Sequence, residues 1–470
     1  MNARSDSAPQ DSIHPSRTGY ELDEIDVADP AELSRTVGGT AIGNFTEWYD
    51  FGVYSYVVPV LSSVFFPHSS LAQIATFAGL TVSFLIRPIG GIFWGILGDR
   101  VGRKGILAAT VLLMALGTFL LGVLPGYAAI GVAAPILLFV TRAIQGFSTG
   151  GEYVGAMTFL AEHAPDRQRG YIGSYLPVGT LSGYILGAVL VTVLQAVLSD
   201  TAMSAWGWRI PFLLAAPLGL IGLFVRLKLE ETPAYEKQTD DERMDHRSRF
   251  EQLKDTVAAQ WRPLLVCAGL VLAFNVTNYM LTGYMPTYLS SVLGVAETPA
   301  LTVVILVMLI IALIVVFLGR LSDRIGRKPV MYAGCALLIV ISIPAFWLVT
   351  QGGYVAIFFG TLPIGLMLVC FMSTEPSTLP TLFPTSVRYG ATSIGFNLSV
   401  SAFGGTTPLI AAALIHGTGN HFMPAYMLVV AGVIGVVSVY FTPEPAGKAL
   451  KGAAPTAASE EEAQEIARDA

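Results

Sequence analysis

Gly95-Ile-Leu-Gly-Asp-Arg-Val-Gly-Arg-Lys104 joins two long apolar runs, and the same pattern returns as Gly319-Arg-Leu-Ser-Asp-Arg-Ile-Gly-Arg-Lys328. Both copies fit G-x-L-x-D-R-x-G-R-K, and the second begins 224 residues after the first, at residue 319 rather than 95. A second pair of matching turns, P-x-x-x-R at residues 165–169 and 384–388, is offset by 219 residues. Charged turns repeated at half-chain spacing predict two homologous halves.

The composition of the chain indicates a membrane protein. Of its 470 residues 53% are hydrophobic and only 13% are charged, and the mean hydropathy is +0.62, whereas soluble domains carry about 25% charged residues. The cysteines Cys267, Cys335 and Cys370 fall in apolar runs, which favours packing over disulfides or metal ligation. The sequence contains no phosphate-binding loop, metal-ligand spacing or nucleophile elbow. We therefore expect neither an enzyme nor an ATP-driven pump, with no cofactor, metal or nucleic-acid partner.

Twelve apolar runs are each close to the ~20 residues that cross a bilayer. They predict an all-α membrane protein with twelve transmembrane helices in two pseudo-symmetric six-helix bundles. The predicted domains are a disordered N-tail (1–34), an N-terminal bundle (35–227), a polar linker (228–261), a C-terminal bundle (262–441) and a C-tail (442–470). The runs cover about 36–65, 72–98, 105–125, 131–162, 170–196, 207–227, 262–291, 298–321, 329–350, 354–381, 388–415 and 422–441.

The basic residues predict the orientation of the chain. If the N-tail is cytoplasmic, all but three of the 27 Lys and Arg residues fall at or near the cytoplasmic side, and the exceptions are Arg87, Arg142 and Arg209. An excess of Lys and Arg marks cytoplasmic loops. We therefore expect both termini to be cytoplasmic.

These features together resemble the major facilitator superfamily of secondary transporters. The stretches Gly43–Tyr54, Phe84–Gly91, Gln145–Tyr153 and Trp206–Phe212 are similar to the metabolite–proton symporters of that superfamily. Leu229–Ala234, Asn275–Leu281, Tyr284–Leu289 and the tail Leu450–Ala458 resemble its proline/glycine betaine–proton symporters. The resemblance covers about residues 41–458. It implies the major facilitator fold, a bacterial-type inner membrane, a small-molecule substrate, protons as coupling ions and a monomeric carrier.

Charged groups inside a membrane are expensive and mark function by default. Counted from the cytoplasmic side at ~1.5 Å per residue, Glu47 and Arg87 both lie ~16 Å deep, near the midplane of the bilayer. Asp50 is three residues after Glu47, on the same broad helix face. Desolvation and a nearby arginine act in opposite directions on such a carboxylate. Two interpretations stay open: Glu47 or Asp50 carries the coupled proton, or a permanently ionised structural pair joins the first two spans.

Other polar groups at similar depth are candidate substrate ligands. Arg142 and Glu152 on span four are ten residues apart, so they do not share a tight face, and Arg87 or Arg142 suits a substrate carboxylate. Aromatic side chains on span one suit an ammonium group through cation–π attraction. The alternative for Arg87 or Arg142 is packing against a helix end or neutralising a carboxylate. For the asparagines and the aromatic residues the alternative is interhelical hydrogen bonding or packing. The candidate substrate-binding residues are Asn44, Trp48, Tyr54, Arg87, Arg142, Glu152, Asn275, Asn278, Tyr279 and Asn397.

Glu375 departs from the resemblance, since an apolar residue is expected there. It is either a second titratable site or a group solvated at the cytoplasmic edge. Asp99 with Arg103 and Asp323 with Arg327 belong to the repeated turns. The resemblance implies that these turns form a cytoplasmic gate, and anchoring of the topology by positive charge is the alternative.

The sequence favours proton-coupled import of a zwitterionic osmolyte, such as proline or glycine betaine, by alternating access. The first alternative is proton symport of a mono-, di- or tricarboxylate of the 2-oxoglutarate, citrate or shikimate type. The second is a transporter-like sensor without flux.

Overall fold

The computed structural model of the chain describes Tyr20 and residues 22–67, 72–228 and 249–469. Most of the linker and the first nineteen residues therefore lie outside the described residues. The described residues are almost entirely helical, and twelve helical spans follow one another in the order that the apolar runs predict.

The first six spans form the N-terminal bundle. Asp29 caps the first helix by accepting a hydrogen bond from the Ala31 amide at 2.8 Å, and Pro30 takes the first helical position, where a missing N–H is harmless. Spans one to six are Pro30–Tyr56 with Val58–Phe65, Ala72–Val101, Arg103–Val123, Ala133–His163, Arg169–Gly173 with Tyr175–Val197, and Arg209–Leu213 with Ala215–Leu227.

The last six spans form the C-terminal bundle. Span seven starts at Arg249 and not near 262, so residues 249–261 of the predicted linker belong to this helix, which is kinked at Gln260. Spans seven to twelve are Arg249–Tyr279 continued by turns to Val292, Glu297–Ile325, Arg327–Thr350, Tyr354–Thr378, Arg388–Ser399 with Val400–Gly404 and Thr407–Thr418, and Met423–Phe441.

Ten stretches of the described residues are long and apolar enough to cross a membrane by length and composition. The helices Pro30–Tyr56 and Ala133–His163, in spans one and four, are not among them. They carry Glu47 with Asp50, and Arg142 with Glu152, in their middle turns. These charges lower the mean hydropathy of the two helices, so the least apolar spans are those with the most candidate site residues.

The repeated turns have the same backbone geometry. Gly102 has φ 95° and ψ 159°, and Gly326 has φ 96° and ψ 154°. Positive φ values of this kind are open to glycine and strained for other residues. The two turns thus reverse the chain identically between spans two and three and between spans eight and nine, as a duplicated unit requires. We call the side of the molecule that carries them the turn face.

The two bundles contact each other in the half of the molecule nearer the turn face. Span two packs on span eleven, and span five packs on span eight. Gly95 lies against Gly390, and Gly319 lies against Ser174, so closely that a side chain at either glycine would collide.

The tails are structured on the turn face, which corrects part of the prediction. A two-residue strand β1 (Asp26–Val27) pairs in parallel with β2 (Thr456–Ala457), and a helix follows at Glu460–Asp469. The predicted disorder of the N-tail is therefore wrong for residues 22–34; its other residues, apart from Tyr20, lie outside the described part. Main-chain hydrogen bonds to the C-tail hold this part of the N-tail in place.

Candidate functional site

A glutamate–arginine pair joins spans one and two at mid-depth. Arg87 Nη2 donates to Glu47 Oε1 at 3.2 Å, and both side chains are buried. The spacing along the helices predicts this contact. The pair is only half satisfied, because Glu47 Oε2 and Arg87 Nε have no hydrogen-bond partner. Buried polar atoms without partners are rare in proteins and need an explanation.

Aromatic rings from both bundles surround the Arg87 guanidinium. Its central carbon lies 4.7 Å from the ring centre of Phe51, 4.8 Å from that of Phe84 and 5.9 Å from that of Trp48. From the C-terminal bundle, the Tyr279 ring lies 5.3 Å from Phe84 and 6.5 Å from Trp48. We call these four rings the aromatic box.

The Trp48 side chain connects the box to more aromatic residues. Its ring centre lies 5.3 Å from that of Tyr184 on span five and 6.2 Å from that of Tyr153 on span four. Tyr153 in turn stacks on Phe396 of span eleven at 5.1 Å. Both bundles therefore contribute rings to one central cluster at the depth of Glu47.

The second carboxylate of span one has a different environment. Asp50 Oδ2 accepts from Arg142 Nη1 at 2.9 Å, and Asp50 Oδ1 accepts from Gln145 Nε2 at 3.0 Å. The Arg142 guanidinium stacks on Tyr54 at 3.7 Å. Both oxygens of Asp50 are engaged inside the N-terminal bundle. The contacts match a structural pair and leave Glu47 as the half-paired carboxylate of this span.

A third acid–arginine pair lies near the turn face of the same bundle. Glu152 forms an ion pair with Arg226, whose Nη1 donates to Glu152 Oε2 at 2.7 Å, and Thr110 donates to the same oxygen at 2.6 Å. Gly43 leaves the space that the Arg226 guanidinium occupies. Arg226 is fully buried, so its charge lies inside the N-terminal bundle.

Span seven presents unpaired polar atoms at mid-depth. Asn275 Nδ2, both side-chain atoms of Asn278 and the Tyr279 hydroxyl are buried without hydrogen-bond partners. The Tyr279 ring belongs to the aromatic box, so these unpaired atoms lie next to it. Beside it, Gly404 and Gly405 leave room for the Tyr279 and Phe84 rings.

Two polar contacts tie the bundles together on the turn-face side of this cluster. Asn397 Nδ2 of span eleven donates to the Gly150 carbonyl of span four at 2.7 Å. The Tyr389 hydroxyl donates to the Gly151 carbonyl at 2.6 Å. Neither bond involves the other side chains of the candidate site.

In the second repeated turn, Asp323 bridges the bundles. Its carboxylate accepts from the Gly170 and Tyr171 amides, each at 2.7 Å, at the start of span five. A negative charge is favourable at the N-terminus of a helix. Arg327 Nη2 also donates to Asp323 Oδ1, at 3.2 Å. The contacts of the Asp99 and Arg103 side chains, which the first turn would provide, lie outside the described residues.

The two P-x-x-x-R arginines make equivalent contacts. Arg169 Nε donates to the Ala161 carbonyl at 2.9 Å, and Arg388 Nε donates to the Pro380 carbonyl at 3.2 Å, eight residues back in each case. Each arginine also bonds the residue three positions before it, Asp166 or Thr385. The sequence echo is therefore a structural repeat.

Both arginines also hold the C-tail. Arg169 Nη1 donates to the Lys448 carbonyl at 2.9 Å, and Arg388 Nη2 donates to the Lys451 carbonyl at 2.8 Å. Glu444 accepts from the Arg327 and Lys328 amides at 2.9 and 3.0 Å, so it caps span nine. We call residues 444–458 the tail strap. It crosses the turn face and contacts both bundles.

A family model described as "Sugar (and other) transporter" matches residues 37–456. The chain belongs to this family of the major facilitator superfamily. It is 43% identical over 455 residues to the glycine betaine/proline/ectoine/pipecolic acid transporter OusA of Dickeya dadantii (strain 3937), covering 95% of this chain and 91% of that one. It is 43% identical over 452 residues to the proline/betaine transporter of Escherichia coli (strain K12), with 95% and 90% covered.

Solved structures show the same fold. The transporter superposes on the major facilitator superfamily proton:xylose symporter XylE bound to 6-bromo-6-deoxy-D-glucose with a TM-score of 0.72, at 19% identity, covering 89% of this chain and 98% of that one. The predicted twelve-helix fold and the family resemblance are confirmed, and the protein is a multi-pass membrane transporter and not an enzyme.

Several predicted substrate ligands of the transporter are occupied by other contacts. Asn44 donates to the Leu176 carbonyl and to Thr180, and accepts from Trp48. The Tyr54 hydroxyl donates to the Thr76 carbonyl at 2.7 Å. All polar atoms of these two side chains are used inside the N-terminal bundle. Glu152 is engaged by Arg226 and Thr110, and Asn397 holds the bundles together. Arg142 is paired with Asp50, although its Nε and Nη2 atoms have no hydrogen-bond partner.

Four residues of the transporter's central cluster were missed. Phe84, Tyr153 and Tyr184 contribute rings, and Arg226 contributes the charge that neutralises Glu152. Tyr153 falls within a motif that the family resemblance rests on. The depth of the aromatic residues along spans two, four and five is the sequence signal that identifies Phe84, Tyr153 and Tyr184.

Proposed function

We propose that this chain is a proton-coupled symporter that imports a zwitterionic osmolyte such as proline or glycine betaine. One observation supports this most: a half-paired Glu47–Arg87 ion pair lies inside an aromatic box built from both bundles. Arginine binds carboxylates, and aromatic faces bind ammonium groups by cation–π attraction, ~2 kcal/mol or more when desolvated. A zwitterion presents both groups.

The charge balance of the N-terminal bundle supports a ligand without net charge. Glu47, Asp50 and Glu152 are matched one to one by Arg87, Arg142 and Arg226. A tricarboxylate would bring uncompensated charge into this buried cluster, which is costly in a medium of low polarity. The names of the relatives, proline/betaine transporter and glycine betaine/proline/ectoine/pipecolic acid transporter, point to the same class.

Coupling follows from competition for Arg87. A substrate carboxylate that bonds the Arg87 guanidinium takes the counter-charge away from Glu47. A buried carboxylate without a counter-charge is neutralised by protonation. Substrate and proton then bind together, which is the condition for symport. Asp50 holds Arg142 and Gln145 in place and takes no part in proton transfer in this scheme.

In this proposal the turn face is cytoplasmic, with both termini on that side, because the Lys and Arg residues of the loops cluster there. The contacts of Asp323 with the start of span five form a gate that breaks when the turn face opens. The monomer is the working unit, since one chain provides every group of the central cluster.

The test is uptake into proteoliposomes under an inward proton gradient. Labelled glycine betaine or proline is expected to accumulate, and a protonophore abolishes the accumulation. Accumulation of citrate, 2-oxoglutarate or shikimate without betaine or proline would overturn the substrate class.

Two matched variants test the proton carrier. Glu47→Gln is expected to abolish accumulation and keep exchange down a substrate gradient, with a smaller loss of melting temperature than Asp50→Asn, because Glu47 accepts one hydrogen bond at 3.2 Å whereas Asp50 accepts two, at 2.9 and 3.0 Å. Asp50→Asn is expected to lower the melting temperature, because Arg142 loses its counter-charge. Full accumulation by Glu47→Gln would remove Glu47 from the mechanism.

A further inference from the structure

One buried carboxyl group differs from all others in the described residues. Six carboxyl side chains are buried there, and five have an arginine partner. Glu375 has none, and its Oε1 atom has no hydrogen-bond partner although the residue is 97% buried. The five paired residues are Glu47, Asp50, Glu152, Glu162 and Asp166.

Glu375 sits three residues before the end of span ten, toward the turn face, and it is enclosed by both bundles. Pro376 and Ser377, its neighbours in sequence, lie against Gly173 of span five. The titratable side chains that interact electrostatically with it are Tyr153 of span four, Cys267 of span seven and Cys335 of span nine. No arginine or lysine among the described residues interacts electrostatically with the Glu375 carboxyl group. The predicted alternative, a group solvated at the membrane edge, is therefore wrong for this structure.

The absence of a counter-charge determines the protonation state. An ionised carboxylate in a dry interior costs far more than a neutral acid, and such a group takes up a proton instead. The other buried carboxylates avoid this cost through arginine. Glu375 is therefore a protonated acid while the turn face is closed. Opening of the turn face moves Gly173 and Tyr153 away with their bundle and lets water reach the group.

We propose that Glu375 is a second proton-binding site of the transporter, which holds its proton while the turn face is closed and releases it when the turn face opens. This proposal rests on the proton-coupled function proposed above. When the turn face opens, the O–H bond of Glu375 breaks and water takes the proton. When the turn face closes, the carboxylate is left without a counter-charge and takes up a proton again, so a proton at Glu375 favours the closed turn face.

The protonated state is tested without any substrate. Infrared difference spectra of the full-length protein at neutral pH, wild type minus Glu375→Gln, are expected to contain a carboxylic-acid C=O band. The matched control Glu461→Gln, at an exposed position, is expected to show only carboxylate bands. Absence of the acid band from the Glu375 difference would overturn the proposal.

Thermal melting gives a second, independent reading. Glu375→Gln exchanges one neutral group for another, so the melting temperature is expected to stay at the wild-type value. Glu162→Gln removes the charge that neutralises Arg388 and is expected to lower it. An equal loss in both variants would mean that Glu375 is ionised, against the proposal.

The release role is tested by transport. Glu375→Gln is expected to lower proton-driven uptake by at least about a hundredfold, the lower end of the range for loss of a proton-transferring group, while substrate exchange persists. Acidifying the lumen is expected to slow the wild type and not the variant. Equal losses in uptake and exchange would overturn the release role. If the wild type transports no zwitterion, the proposed function fails while the infrared result still decides whether Glu375 holds a proton.

Discussion

Arg87 at the midplane and Arg388 on the turn face are both almost completely buried, but they differ in how far their hydrogen bonds are satisfied. Arg388 donates to Glu162 at 2.6 Å, to Thr385 at 2.9 Å and to the carbonyls of Pro380 and Lys451. Arg87 donates only to Glu47, at 3.2 Å, and its Nε atom is unpaired.

The difference separates two uses of a buried charge. A fully bonded guanidinium fixes the position of the elements around it, because removing any partner exposes a desolvation penalty. A half-bonded guanidinium keeps binding capacity for a ligand. Burial alone therefore does not identify the functional arginine. Free donors alone do not either, because Arg142, Arg226 and Arg327 also have unpaired nitrogens. Arg87 differs from these three in lying inside the aromatic box.

The largest effect is expected from Arg388→Ala. The change leaves Glu162 buried without its partner, which costs about 3–5 kcal/mol, so we expect a strong fall in melting temperature and in yield of monodisperse protein. Arg468→Ala, at an exposed position, is the control. If the two variants melt at the same temperature, the structural role of Arg388 is wrong.

A smaller effect, on binding and not on stability, is expected from Arg87→Lys. Lysine keeps the charge but loses the planar fork that matches a carboxylate, and a hydrogen bond to a charged group contributes ~1.5–3 kcal/mol. We expect the apparent affinity for substrate to fall about 10- to 100-fold, with an unchanged melting temperature. Substrate titration and thermal melting of the same preparation separate these outcomes. A fall in melting temperature as large as that of Arg388→Ala would mean that Arg87, like Arg388, has a structural role.

The tail strap provides an intermediate case. Glu444→Ala removes the acceptor for the Arg327 and Lys328 amides, and loss of such a helix cap costs ~1 kcal/mol. A modest fall in melting temperature is expected, with none for Glu460→Ala at an exposed position of the C-terminal helix. Faster hydrogen exchange at the start of span nine would localise the effect, and unchanged exchange there would contradict it.

The smallest effect is expected at the surface of the turn face. Arg167 Nη1 donates to Glu465 at 2.8 Å, and this hydrogen bond lowers the pKa of the Glu465 carboxyl from its ordinary value of 4.5. A carboxyl with a lowered folded-state pKa stabilises the fold above its unfolded pKa, and this contribution is lost as the pH falls through the folded pKa.

The Glu465→Gln variant should therefore have a slightly lower melting temperature than the wild type at neutral pH. Well below pH 4.5 the two melting temperatures should be equal. High salt should reduce the neutral-pH difference, because exposed charges are screened. A difference that persists in acid would mean that the glutamate acts through packing and not through its charge.

Distances along helices were predictable from the sequence, and orientations around helix axes were not. Glu47 and Arg87 lie at equal depths from the same side, so their contact follows from counting residues. Whether Asp50 would pair with Arg87 or with Arg142 depends on how spans one, two and four are rotated against each other. The packing of the whole bundle determines that rotation, and the rotation cannot be read from a single sequence.

The contacts of the turn face were less predictable still. Arg169 and Arg388 use main-chain carbonyls of the tail strap as acceptors, and a carbonyl group has no signature in the sequence. Glu375 is the opposite case. Its departure from the resemblance was visible, and only the structure shows that it is enclosed without an arginine.

The pairing of β1 with β2 has a consequence for biosynthesis. Residues 26–27 leave the ribosome before the twelve spans, and residues 456–457 leave it after them. The two strands meet only when the intervening helices have been inserted and brought to one side. A chain arrested before residue 456 keeps the first strand unpaired, and an unpaired strand edge is open to association with other chains. The small sheet thus marks chains whose synthesis and insertion have reached the last span.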